Sequence, residues 1–240
     1  MSFDATIITR YWGDLFGGFL TTLYICITGL ILGLIVGAIT CWAKMRLPGL
    51  GARIMNVYIE IFRGTPFLIQ TFIFYYVGPV FGINLSASAV GILGLAFYSG
   101  AYFAEIYRAG ILSIPKGQVE AAHALGIGDK AILFRIILPQ MLSLILAPLT
   151  NQVMTLIKES AILSVITVQE LTFTGQEIIG ETFNYVEVYA KVALLYWFLI
   201  TILSILTSCW EKYTTRYLKI KERPKTFSRI AGSDKLERVS

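Results

Sequence analysis

Glu120-Ala-Ala-His-Ala-Leu-Gly126-Ile-Gly-Asp129-Lys-Ala-Ile-Leu-Phe-Arg135-Ile-Ile-Leu-Pro139 is a polar interruption between two long apolar stretches. Pro115 opens it, because proline cannot continue a helix arriving from its amino-terminal side. Residues 117–125 then read as a short helix, in which Ala121, Ala122 and Ala124 leave a narrow surface that another molecule can approach closely. Gly126 stands where a helix end needs the left-handed conformation. Asp129 is placed to cap a second, basic helix. That helix carries Ile132, Ile136 and Ile137 on its apolar side, and Pro139 leads into the next apolar run. The expectation is a helix–turn–helix over 114–139, outside a bilayer and joined directly to two spans. An ordinary amphipathic connection would have the same local features.

Outward from this elbow the chain is overwhelmingly apolar. It has 240 residues, 56% hydrophobic and 15% charged, with a mean hydropathy of +0.70. A soluble domain carries closer to a quarter charged residues. A bilayer crossing needs roughly 20 apolar residues in helical conformation. Five windows meet that need: Gly17–Trp42, Ile54–Val80, Ala89–Ser113, Leu142–Val168 and Val188–Trp210. The fold class expected is therefore an all-α polytopic membrane protein with five transmembrane helices, flanked by an interfacial segment over 1–16 and a polar cytoplasmic tail over 219–240.

The net charge of +5 does not indicate nucleic acid, because the cations are sorted by side. Lys44, Arg46 and Arg53 follow the first window, Lys116, Lys130 and Arg135 follow the third, and nine more follow Trp210. The opposite side holds Arg10, with Lys191 at its margin, and its longest loop, 169–187, has four glutamates and no Lys or Arg. The positive-inside rule then places the amino terminus outside and the carboxyl terminus in the cytoplasm. Five crossings give the same parity.

Cys26, Cys41 and Cys209 all fall in apolar windows and read as buried thiols without disulfide or metal spacing. The first apolar run is too long for a cleaved signal and is expected to remain as a helix. Within it Gly29, Gly33 and Gly37 recur every four residues, which lets helix backbones approach closely, either inside one subunit or at a dimer seam. The second window is interrupted at Arg63-Gly64-Thr65-Pro66, predicting a kink that either borders a cavity or is merely mechanical. Pro148 predicts a bend in the fourth window.

Six ionisable side chains sit inside the windows: Glu60, Arg63, Glu105, Arg108, Lys158 and Glu159. Each costs about 2.5–3.5 kcal/mol near the bilayer centre on insertion scales, so each needs a partner or water. Glu60 and Arg63, like Glu105 and Arg108, are three apart and can meet on one helical face. Lys158 and Glu159 are adjacent and cannot share one. Tyr102, one turn before Glu105, is expected to face the same space. Three acids and three bases suit a zwitterion, whose ammonium meets Glu and whose carboxylate meets Arg or Lys; they equally suit ion pairs that hold helices in register.

With Glu120, Ala121, Ala122, Gly126, Ile136, Leu138 and Pro139 at their spacing, the elbow resembles the coupling loop of importer permeases of the ATP-binding-cassette superfamily. The segments Glu60–Pro66, Ser113–Gln118, Ile157–Ser160 and Glu170–Ile179 resemble the polar amino acid subfamily that includes histidine and glutamine permeases, the last segment looking closest to glutamine permeases. The resemblance runs from Gly17 to about Leu218. It implies the five-helix type I permease architecture in a bacterial inner membrane. It also implies docking of residues 120–126 in a separate ATPase, and an amino acid path near Arg63, Thr65, Glu105, Lys158, Glu159 and Ser160, beside Glu60 and Tyr102. In that subfamily the position of Glu159 is more often Asp. The implied partners are two ATPase subunits, a second copy or a paralogous permease, a periplasmic or surface substrate-binding protein, and membrane lipid.

The sequence holds no Gly-rich loop ending in Gly-Lys-Ser/Thr, and no nucleophile–base or metal constellation. ATP would therefore be used by the partner, with no cofactor or metal in this chain and no enzymatic activity of its own. His123, the lone histidine, reads as a surface residue of the elbow. The rival expectations are an ion-coupled secondary amino acid transporter, whose usual inverted repeat is not evident, and a membrane scaffold.

Overall fold

Hydropathy and helix-end chemistry together account for most of the architecture of the computed structural model, which describes residues 9–215. The described residues are helical throughout, with no strand. The first helix, α1, spans Trp12–Arg46, with Asp14 in its first turn and Lys44 and Arg46 in its last, charges that complement the helix dipole. Next come α2 (Leu50–Gly64) and α3 (Phe67–Phe72), the latter extended by a wide turn at Ile73–Val77 and a tight one at Gly78–Phe81. After α4 (Ala87–Leu112) come the short helices α5 (Lys116–Ala124) and α6 (Asp129–Ile132). A second wide turn at Leu133–Ile137 leads into α7 (Leu138–Glu159), which tightens into a 3-10 segment at Ser160–Ile166. The chain ends with α8 (Leu171–Thr182) and α9 (Tyr185–Thr215). The proposed tail, 219–240, and most of the amino-terminal segment lie outside the described residues.

Four stretches are long and apolar enough to cross a membrane: Trp12–Arg46, Ala87–Leu112, Asp129–Ile166 and Tyr185–Trp210. The remaining window, expected as one kinked span over 54–80, is instead two shorter helices. Thr65 takes an extended backbone (φ −119°, ψ 148°), as a residue ahead of proline prefers, and the helix stops there. Phe67–Phe81 forms a shorter apolar helix beyond the break. The Gln70 amide nitrogen lies 2.9–3.0 Å from the Phe62 and Thr65 carbonyls and from Thr65 Oγ1, so one side chain collects acceptors that the broken helix leaves loose. By contrast, α7 runs through Pro148 without interruption.

Both wide turns have the same cause. Each ends two residues before a proline, Pro79 or Pro139, whose ring clashes with the carbonyl four residues back and which donates no hydrogen bond to it. The residue ahead of each proline bonds five back instead, Gly78 to Ile73 and Leu138 to Leu133. The helix continues by widening for one turn.

The glycine seam of α1 faces α4 of the same chain. A Cβ at Gly33 would collide with Ser99 Oγ, and one at Gly37 would lie 2.6 Å from Phe103 Cβ. Leu95, Ser99 and Phe103 are fully buried beneath it, so the seam packs within the subunit. The main core lies where α1, α3, α4 and the end of α7 meet, around Ile25, Phe67, Leu95, Leu156 and Leu163. Cys26 and Cys41 are buried as expected, but Cys209 is exposed on α9, a span of which little is buried among the described residues.

Candidate functional site

The elbow is built by two backbone devices. Pro115 starts α5 and has no amide to leave unpaired. At the other end Gly126 has φ +76°, its amide donates to the His123 carbonyl at 2.9 Å, and the Ile127 amide donates to the Ala122 carbonyl at 3.0 Å. That pair of bonds closes the helix with a left-handed residue at the turn. Glu120 and Ala121 are exposed, whereas Ala122 is buried, so the approachable face is Glu120, Ala121, Ala124 and the strongly exposed Leu125 rather than the three alanines together.

Asp129 does not cap the next helix. Gly128 occupies the cap position without a side-chain bond, and Asp129 is the first helical residue, its Oδ1 3.1 Å from His123 Nε2. Nor is there a separate second helix, since α6 passes through the wide turn directly into α7. Ile132 is buried, Ile136 and Leu138 are half-buried, and Pro139 is exposed. A further tie was invisible in the sequence: Gln140 Nε2 donates to Gln118 Oε1 at 2.7 Å, fastening α5 to the start of α7.

Within the bundle the charges divide into two groups. Glu105 Oε2 accepts from Arg108 Nε at 3.0 Å and Nη2 at 2.7 Å, the i,i+3 pair expected from spacing. Its other oxygen accepts from Lys44 Nζ at 2.7 Å, a partner 61 residues away that spacing could not reveal. The triad ties the end of α1 to α4. Arg63 does not pair with Glu60. Its guanidinium lies 5.1 Å from the Tyr102 ring centroid, while Glu60 remains exposed. The Tyr102 ring lies tilted 5.1 Å from that of Tyr98, which in turn lies 5.2 Å from Phe67.

A cavity of about 450 Å³ brings Arg63, Tyr102, Glu105 and Arg108 together, closed by Ile145 and Pro148. Of the break at Arg63–Pro66, Arg63 alone lines this cavity. Glu60, Thr65, Lys158, Glu159 and Ser160 do not line it. Thr65 Oγ1 bonds to the Ile61 carbonyl, Lys158 is exposed, Glu159 is half-buried, and the buried Ser160 hydroxyl donates to the Ile157 carbonyl.

At the opposite end, the glutamate-bearing stretch 169–187, read from sequence as a loop, folds largely as α8 and packs on α1 and α9. Glu170, fully buried, caps α8 by accepting from the Thr172 and Phe173 amides at 2.9 and 2.8 Å. Tyr196 of α9 donates to it at 2.7 Å, and Thr22 of α1 accepts from the Leu171 amide at 3.1 Å. Burial pushes the Glu170 carboxyl above the usual carboxylate range. Glutamate is not among the side chains favoured at this position, so the sequence carried no ordinary signal for this cap.

Residues 29–213 match the family model described as the binding-protein-dependent transport system inner membrane component. The L-cystine transport system permease protein TcyB of Bacillus subtilis is 36% identical over 209 residues, 87% of this chain and 89% of that protein. The glutamine transport system permease protein GlnP of Escherichia coli is 35% identical over 214 residues, 88% of this chain and 98% of that one. A crystal structure of an amino acid ABC transporter with histidines superposes with a TM-score of 0.83 at 34% identity, covering 89% of this chain and all of that chain. The break at Thr65-Pro66, the cavity behind it and the elbow between α4 and α7 therefore belong to a member of the binding-protein-dependent transport system inner membrane component family, with the type I importer permease fold.

Proposed function

We propose that this chain is the membrane subunit of an ATP-driven importer of a polar amino acid, glutamine or a close relative. It works as a dimer with itself or a paralogue in a bacterial cytoplasmic membrane, with its amino terminus outside. An external binding protein delivers the substrate, and two separate ATPase subunits grip the 114–139 elbow. Likeness to permeases named for glutamine, cystine and amino acids supports the substrate class.

One observation carries the coupling role. The exposed face of α5, Glu120, Ala121 and Ala124 with Leu125 beyond them, is held by a closed helix end and joined by one short turn to α6, which runs on into α7. A push on α5 moves the inner half of α7, whose Ile145 and Pro148 wall the Arg63–Glu105 cavity. Within it the ammonium of an amino acid would meet Glu105 and its carboxylate Arg63, while Tyr102 supplies the aromatic wall. Glu159, Lys158 and Ser160, with Glu60 and Thr65, extend the path beyond the cavity. Differential contact with the ATPase in its open and closed states would then bias the two accessibilities of the path.

The test is Gly126→Val. A β-branched residue at φ +76° costs about 1–3 kcal/mol locally, enough to reopen the helix end without unfolding the bundle. Expected are normal membrane insertion, persistent ATP hydrolysis by the partner and loss of uptake. Gly128→Ala, at an ordinary φ of −73°, is the control. Full uptake by the valine variant would refute the coupling role.

A further inference from the structure

A cavity of about 800 Å³ opens between the end of α1 and the elbow, separate from the Arg63–Glu105 cavity. Its walls are almost wholly apolar: Trp42 and Met45 of α1, Tyr107 and Ile111 of α4, and Ile137 and Met141 at the entry to α7. Its size and lining match those of small-molecule sites. A water-soluble ligand would have little to bond with inside. Two cations stand at its rim, Arg46 in the last turn of α1 and Lys130 in the first turn of α6. Asp129 is also there, 3.1 Å from His123 Nε2, so two cations face one carboxylate and the rim is net positive.

The approach to the cavity decides what enters it. Ile31, Ile35 and Trp42 are exposed along one side of α1, spaced at whole turns, and this stripe runs down the helix into the cavity at Trp42. A molecule following that stripe must be soluble in hydrocarbon. Arg46 lies one turn beyond Trp42, the usual order of an interfacial aromatic and a snorkelling cation. An apolar slot fed from the membrane and closed by two cations at headgroup depth fits one class of molecule.

We propose that this cavity seats one anionic phospholipid of the inner leaflet, an acyl chain between Trp42 and Met141 and its phosphate at Arg46 and Lys130. The lipid would wedge α1 against the elbow and so stiffen the segment through which α5 moves α7. The choice of leaflet and the effect on the movement of α7 rest on the reading proposed above; the binding itself does not.

Quenching of tryptophan fluorescence by brominated lipid tests this on the purified full chain with its co-purifying ATPase in nanodiscs. Brominated phosphatidylglycerol should quench Trp42 more strongly than brominated phosphatidylcholine, with an apparent preference on the order of tenfold from two basic side chains. Trp42→Phe should remove the preferential component, leaving that of Trp12, Trp197 and Trp210. Arg46→Gln with Lys130→Gln should abolish the preference. Native mass spectrometry after detergent exchange should find one retained phosphatidylglycerol per chain, lost in the double variant. Equal quenching by both lipids, a preference surviving in the double variant, or a Trp42 shielded from both lipids by a protein partner would each overturn the proposal. Uptake in liposomes of the same lipids separates it from the transport reading: preference without uptake sinks the transport reading alone, and uptake without preference sinks this one.

Discussion

At the end of the bundle that carries α8, a polar loop is sealed into the fold; at the end that carries α5, a polar loop stands clear of it. Glu170, Thr22 and Tyr196 join three helices through buried hydrogen bonds, with Leu15, Leu171, Ile178 and Val188 packed alongside. Around α5 the ties are exposed side-chain contacts, Gln118–Gln140 and His123–Asp129, over the single buried alanine of that helix. Both loops are short helices ended by a left-handed residue, Phe183 after α8 and Gly126 after α5. The difference lies in where their polar groups find partners. Buried partners fix a segment to its neighbours, whereas exposed partners hold its internal shape and leave it free to be moved as a unit.

The sharpest break of that contrast is Glu170→Ala. It strands two amides and the Tyr196 hydroxyl in a fully buried site, which should cost about 3 kcal/mol. Thermal unfolding of the detergent-solubilised protein reads this directly. A loss no larger than that of a surface substitution would mean that α8 is not locked at all.

Between the two ends, Glu105→Gln removes the negative charge, and one of the two acceptor oxygens, that hold Lys44 and Arg108. Side chains of the triad are 18–34% exposed, so solvent absorbs part of the loss. About 1–2 kcal/mol is expected. If Glu105 also meets the substrate ammonium, uptake should fall more than stability, and apparent affinity should weaken with it. A change in melting temperature without a change in uptake would reduce the triad to a structural clamp.

A quieter effect follows from the charge of Glu170. Its folded carboxyl titrates above the unfolded value, because burial disfavours the ionised form. Whatever stability that shift contributes is present in full below the ordinary carboxylate range and is lost as pH rises through the raised value. Glu170→Gln keeps an acceptor for the cap and removes the titration. The melting temperature of the wild type relative to this variant should therefore decline as pH rises above the ordinary carboxylate range. A difference that grows over that interval would reverse the sign and place a cation beside the carboxylate.

How much of this was legible beforehand follows from the range of each interaction. The apolar windows are local sums, so four long spans and the position of the elbow could be read from composition alone. Gly126 at positive φ and the Thr65-Pro66 break are properties of two or three consecutive residues and were equally visible. Lys44 with Glu105, and Thr22 and Tyr196 with the cap of α8, join residues far apart in the chain and depend on packing that no spacing encodes. The glycine repeat of α1 announced close approach but not its partner, which only the fold identifies as α4. Glu60 and Arg63 show the converse error: correct spacing for a pair, but an aromatic face at Tyr102 that competes for the cation. Asp129 was misplaced by one residue, which is the difference between a cap and a first turn.

The smallest change in stability carries the most information about the elbow. Gln140→Ala removes an exposed neutral hydrogen bond to Gln118 and should cost about 0.5–1 kcal/mol. Packing of Ala122 and Ile132 remains, so α5 should keep its shape, and protein levels and partner ATPase activity should be unchanged. What weakens is the link by which displacement of α5 reaches α7 beyond the widened turn at 133–137. Transport per ATP hydrolysed should therefore fall severalfold while hydrolysis continues. Gln118→Ala should produce the same loss, and the double variant should be no worse than either, since both remove one bond. Additive losses would mean that each glutamine touches the ATPase separately, and then the stiffness of the elbow would reside in the backbone at Gly126 alone.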